Sequence, residues 1–93
     1  MLVHVVLMKF TDPADAPAAK ALLDALAPKV EQVRTMTVGL DETRGAVSWH
    51  LVMTTVHDDA EGLAGYQTHP EHLAVAGWLK ARLADRAAVD YTD

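Results

Sequence analysis

The sequence predicts an α+β fold, a ferredoxin-like βαββαβ unit with a four-stranded antiparallel sheet that joins a second copy in a dimeric α+β barrel. Three observations carry this. Two apolar runs, Leu2 to Phe10 and Val47 to Val56, are rich in β-branched and aromatic residues, as strands are. Leucines and valines at helical spacing follow the first run and recur near the C-terminus. Both sides of the strands are apolar, and two helices can cover only one of them.

The opening run places Val3, Val5 and Leu7 on one side and Leu2, Val6, Met8 and Phe10 on the other. It lacks a basic leader and a small-residue cleavage site, so it reads as a strand rather than a signal peptide, and a cytoplasmic address is the expectation. Asp12 or Asp15 caps the first helix, with Pro13 and Pro17 near its first turn. Leu22, Leu23, Leu26, Val30 and Val33 form its buried stripe, and Pro28 kinks or restarts it near Ala27, with the pattern carrying on to Val33. Weaker strand signals lie at Thr35 to Leu40 and Ala87 to Tyr91, and Leu40 to Ala46 turns the central hairpin through Asp41 and Gly45.

In the third strand Trp49, Leu51 and Met53 oppose Val52 and Val56. The second helical stretch opens at Asp58, with Glu61 in capping-box spacing, and reaches about Tyr66. Pro70 then breaks it: His69 leaves helical geometry and caps a new helix whose stripe is Leu73, Val75, Ala76, Leu79 and Leu83.

Composition narrows the function. The 93 residues make one domain, 1–93, and so short a chain leaves much surface uncovered unless a partner hides it. An apolar content of 51% supports a packed core and excludes disorder. The absence of cysteine excludes disulfides, thiolate metal sites and a thiol nucleophile. Net charge is −5 with scattered lysines and arginines, so neither nucleic acid nor a membrane is an expected partner. The glycines have no phosphate-loop spacing, and no cofactor is expected.

The densest polar cluster runs from Tyr66 to His72. In the first turn of a helix capped by His69, His72 meets unpaired N–H groups that disfavour a positive imidazole, leaving a neutral base. Tyr66, just across the break, can donate to a developing oxyanion. The plainer reading is that His72 packs and Tyr66 plugs the break. His4 and His50 interrupt apolar strands where aliphatic residues would suit; they are either satisfied core histidines or lining of the same pocket. His69 and His72 also have the i, i+3 spacing of two metal ligands, but no carboxylate completes a site, so no metal is assigned. His57 reads as a solvated turn residue.

Four segments in order, His4 to Phe10, Val38 to Asp41, Tyr66 to His72 and Val89 to Tyr91, resemble the stress-responsive A/B barrel domain over nearly the whole chain. The resemblance implies a homodimer. A plant member closes a linear polyketide by aldol condensation without a metal, and its motif implies His72 as base, Tyr66 as partner, and His4 and His50 in the pocket. This chain departs from it in the first helix, where Ala19, Leu22, Leu23 and Leu26 replace aromatic residues. The leading expectation is therefore a cofactor-independent cyclase acting on a small hydrophobic, phenolic or polyketide-like ligand. The alternatives are a non-catalytic stress-related structural or ligand-binding dimer and a cofactor-free monooxygenase. The cavity discriminates: Leu26 and Trp78 either border a ligand pocket or fill it shut.

Overall fold

Alternation in the opening run becomes strand β1 (Leu2–Phe10), whose His4, Val6, Met8 and Phe10 are buried on one side. The computed structural model describes residues 1–93. After β1 a 3-10 turn, Pro13–Asp15, leads into helix α1 (Ala16–Leu26). Strands β2 (Thr35–Leu40) and β3 (Leu51–His57) follow, then helices α2 (Ala60–Thr68) and α3 (Pro70–Lys80), and finally β4 (Leu83–Thr92). The four strands form one antiparallel sheet in the order β2-β3-β1-β4, the expected ferredoxin-like arrangement.

The helices cover one side of the sheet. Their core combines Val6 and Met8 of β1, Leu51 and Met53 of β3, and Leu23 and Leu26 of α1. Each of these leucines, at 1% and 2% exposure, contributes about 1.5–3 kcal/mol by leaving water. The other side, carrying Val5, Val52, Val89 and Tyr91, has no helix over it. Val52, Val89 and Tyr91 are exposed to 37%, 63% and 48%.

Several boundaries differ from those the sequence predicts. The third strand starts at Leu51, not Val47: Asp41 accepts from the Arg44 N–H at 2.8 Å and Ser48 from the Gly45 N–H at 3.1 Å, and these turn contacts keep Val47 to His50 out of the strand. Within that loop the positive φ, 51°, belongs to Arg44 and not to Gly45. The expected change at Ala27 occurs, as a restart in a 3-10 turn, Ala27–Lys29, but it does not carry on: the chain is extended at Val30, so Val33 lies outside any helix. The buried stripe of α1 is consequently Ala16, Ala19, Leu23 and Leu26.

The cap of α2 is Asp59, which accepts from the Gly62 N–H at 2.9 Å, while Asp58 holds Arg34 through two hydrogen bonds. In α3 Leu73 faces solvent, and Leu83 belongs to β4, which starts four residues before the expected Ala87. No helix is long and apolar enough to cross a membrane.

Candidate functional site

The break between α2 and α3 builds the site. His69 is extended, at φ −62° and ψ 135°, and its Nδ1 accepts from the Glu71 N–H at 3.1 Å, with Pro70 at the first helical position as expected. In an unbroken helix that N–H would donate to the Gln67 carbonyl. The freed carbonyl instead accepts from Nδ1 of His72 at 2.9 Å. A carbonyl only accepts, so Nδ1 carries the proton and Nε2 is left as the lone-pair nitrogen. Burial is the largest effect on His72 and pushes its pKa below the ordinary 6.5, against the raising effect of the Gln67 contact.

Tyr66 meets His72 edge-on, ring centroids 4.5 Å apart at 61°. The tyrosine is wholly buried, and its hydroxyl donates to the Met53 thioether at 3.7 Å, a weak acceptor. Burial pushes the phenol up to about 12, so it stays a neutral donor.

Both residues border a cavity of about 450 Å³ between the sheet and the helices. Met8, Leu23, Met53, Val75 and Leu79 supply much of its apolar wall, with His4 and Arg86 among its polar groups. The volume suits a small organic ligand. His4 comes from β1, directly opposite Asp90 of β4, and its Nδ1 donates to the Asp90 carboxylate. The expected convergence therefore holds for His4, Tyr66 and His72.

Residues 2–93 of the sequence match the stress responsive A/B barrel domain. The chain belongs to this family. It is similar to a dimeric protein of unknown function and ferredoxin-like fold from Bacteroides fragilis, at 29% identity, covering 99% of this chain and 95% of that one with a TM-score of 0.88. A dimeric ferredoxin-like protein of unknown function from Thermobifida fusca is 24% identical, covering 99% and 90% of the two chains, also at TM-score 0.88. An antibiotic biosynthesis monooxygenase superposes at TM-score 0.81 over 100% of this chain and 98% of its own, but at 14% identity it shows the fold alone. No curated protein matches the sequence.

In this A/B barrel chain three of the expected pocket residues lie elsewhere. His50 stands in the loop before β3, not within it; its Nδ1 accepts from the Phe10 N–H at 2.9 Å, and its ring faces a separate opening with Asp41, Arg44 and Ser48. Its backbone turn, and not strand alternation, decides where it points. Leu26 is core at 2% exposure, and Trp78 is stacked under the Arg82 guanidinium, 4.1 Å from its centroid; neither borders the cavity. The pocket is thus neither lined nor closed by them.

His57 is a further correction. It is wholly buried, donating from Nδ1 to the Gln32 carbonyl at 2.7 Å and accepting at Nε2 from the Thr55 hydroxyl at 2.8 Å. Its ring lies 5.4 Å from that of Tyr66, so it backs the tyrosine from the core side. The alternation Leu51, Met53, Thr55, His57 was the signal for it. Arg86 and Asp90 could have been found by extending the period-two pattern of β4 in the same way.

Proposed function

We propose that the cavity is the active site of a cofactor-independent enzyme of the polyketide-cyclase type, acting on a small, largely apolar ligand with activated carbonyl groups. His72 takes a proton from the carbon between two carbonyls, and the resulting enolate carbon attacks another carbonyl farther along the same molecule. The carbonyl π bond breaks as the new C–C bond forms, and the alkoxide recovers the proton from His72. Tyr66 donates to the enolate or alkoxide oxygen once the flexible Met53 thioether gives up its hydroxyl. The observation that carries this reading is the Gln67 carbonyl on Nδ1 of His72, which holds the ring in the tautomer whose other nitrogen is a base.

The test is turnover of β-polyketide thioesters by the purified protein. His72→Ala is expected to lower kcat by about 10²–10⁴; full activity in that variant rejects the assignment. A second reading, a ligand-binding dimer without catalysis, is favoured by the complete burial of Tyr66, whose hydroxyl reaches a ligand only after a rearrangement. It predicts saturable binding with no product. Oxygen consumption during turnover would point instead to a monooxygenase.

The uncovered side of the sheet fits a second copy of the chain. Val52, Val89 and Tyr91 lie there, and the Bacteroides fragilis and Thermobifida fusca proteins are dimeric. A two-fold pairing of these sides would complete a barrel with each cavity on its outside.

A further inference from the structure

We propose that the cavity takes a ligand bearing a carboxylate, and that Arg86 is the residue that selects it. The inference rests on the reading of the cavity as a small-molecule site and adds the ligand's charge to it.

Arg86 sits opposite Met8 in the β1–β4 register, on the same side of the sheet as His4, and its side chain borders the cavity. The other cations are mostly engaged. Lys20 and Arg34 are paired with Asp24 and Asp58, Lys29 lies 4.0 Å from Glu71, and Lys9 and Arg82 stand over Trp49 and Trp78. The guanidinium of Arg86 has no ion pair, no hydrogen bond and no ring. Two carboxylates are close in sequence, and both are occupied: Asp85 accepts from the Arg86 backbone N–H at 2.8 Å, and Asp90 is held by His4.

A planar fork of donors, free and at the edge of a mainly apolar hollow, matches a carboxylate in two parallel hydrogen bonds. Its charge reaches the proposed catalytic pair: it opposes the burial that raises the Tyr66 phenol and adds, well after burial, to the lowering of His72. Arg86 is exposed at the rim of the cavity, and in a chain of net charge −5 this cation runs against the overall field, so an anionic ligand is drawn to the cavity and not merely to the protein. Lys80 also borders the opening, but it is a point charge on a flexible stem and gives no bidentate fit.

Calorimetric titration with salicylate and its neutral analogue salicylamide tests this. Wild-type protein is expected to bind salicylate at least about tenfold more tightly. Arg86→Leu is expected to abolish that preference while leaving salicylamide binding within about twofold. Equal affinities in the wild type, a preference that survives Arg86→Leu, one lost in Lys80→Met instead, or no binding of either compound would each overturn the proposal. The measurement needs no turnover. A preference that follows Arg86 in a protein whose His72→Ala variant keeps full activity sustains this inference and removes the cyclase reading; turnover dependent on His72 without any preference does the reverse.

Discussion

His4 and Asp90 face each other across adjacent strands, and the histidine, 3% exposed at its side chain, donates from Nδ1 to the carboxylate. The cavity therefore contains an imidazole whose orientation is fixed by a neighbour on β4, independently of the helix break that orients His72. Removing the acceptor strands a buried N–H. Asp90→Ala is expected to cost about 1–3 kcal/mol of stability in urea unfolding, and Asp90→Asn, which keeps an acceptor oxygen, clearly less. Equal losses would show that the contact is not what holds His4.

Tyr66→Phe removes a hydroxyl whose partner is only a thioether 3.7 Å away. Stability should change by less than about 1 kcal/mol, because the ring still fills its place against His72 and His57. Turnover should fall by about 10²–10³ if the hydroxyl donates to an oxyanion. Unchanged kcat in a folded variant contradicts the donor role.

The depressed pKa of His72 gives a pH profile with a definite sign. The base is neutral above its folded pKa, so kcat/KM should be level at neutral pH and decline on the acid side with an inflection below 6.5. No alkaline decline from Tyr66 is expected until near 12. An acid inflection above 6.5 would exclude His72 as the titrating base.

His57 makes stability itself depend on pH. Burial, the largest effect, lowers its folded pKa below the 6.5 of the unfolded chain, so between those values the unfolded state binds more protons. Stability is therefore lost as pH falls through that window and stops falling on this account beneath the folded value. His72 adds a slope of the same sign. Urea midpoints measured at about pH 7.5 and about pH 5.5 should differ in the wild type and differ less in His57→Gln, although that variant is weaker at both.

The uncovered side of the sheet yields a prediction about mass. Val89→Asp sets a carboxylate on the uncovered side of the sheet, within the proposed interface, where burial without a partner costs several kcal/mol. Light scattering should report two chains for the wild type at micromolar concentration and one for the variant. A wild type that weighs one chain refutes the pairing.

The strand at Leu2–Phe10 was legible to the residue because alternation, β-branching and flanking turn residues all agree there, and the weaker signal at Thr35–Leu40 had the same bounds as the strand that forms. The break at His69 was equally plain, since a proline restricts the residue before it whatever surrounds them. Val47 to His50 misled because β propensity is weak beside turn contacts made by Asp41 and Ser48. His57 misled because its partners are the Gln32 carbonyl, 25 positions away, and a hydroxyl whose direction depends on strand register.

The amino-acid order by itself determined the element sequence, the two apolar sides of the sheet and the cap at His69, since each follows from spacing or from proline stereochemistry within a few residues. Only the tertiary structure decided that His4, Tyr66, His72 and Arg86 share one cavity while His50, Leu26 and Trp78 stand outside it. Those placements depend on the register of β1 against β4 and on the fall of α3 after its break. Both are set by packing between segments far apart in the chain, which local periodicity does not encode.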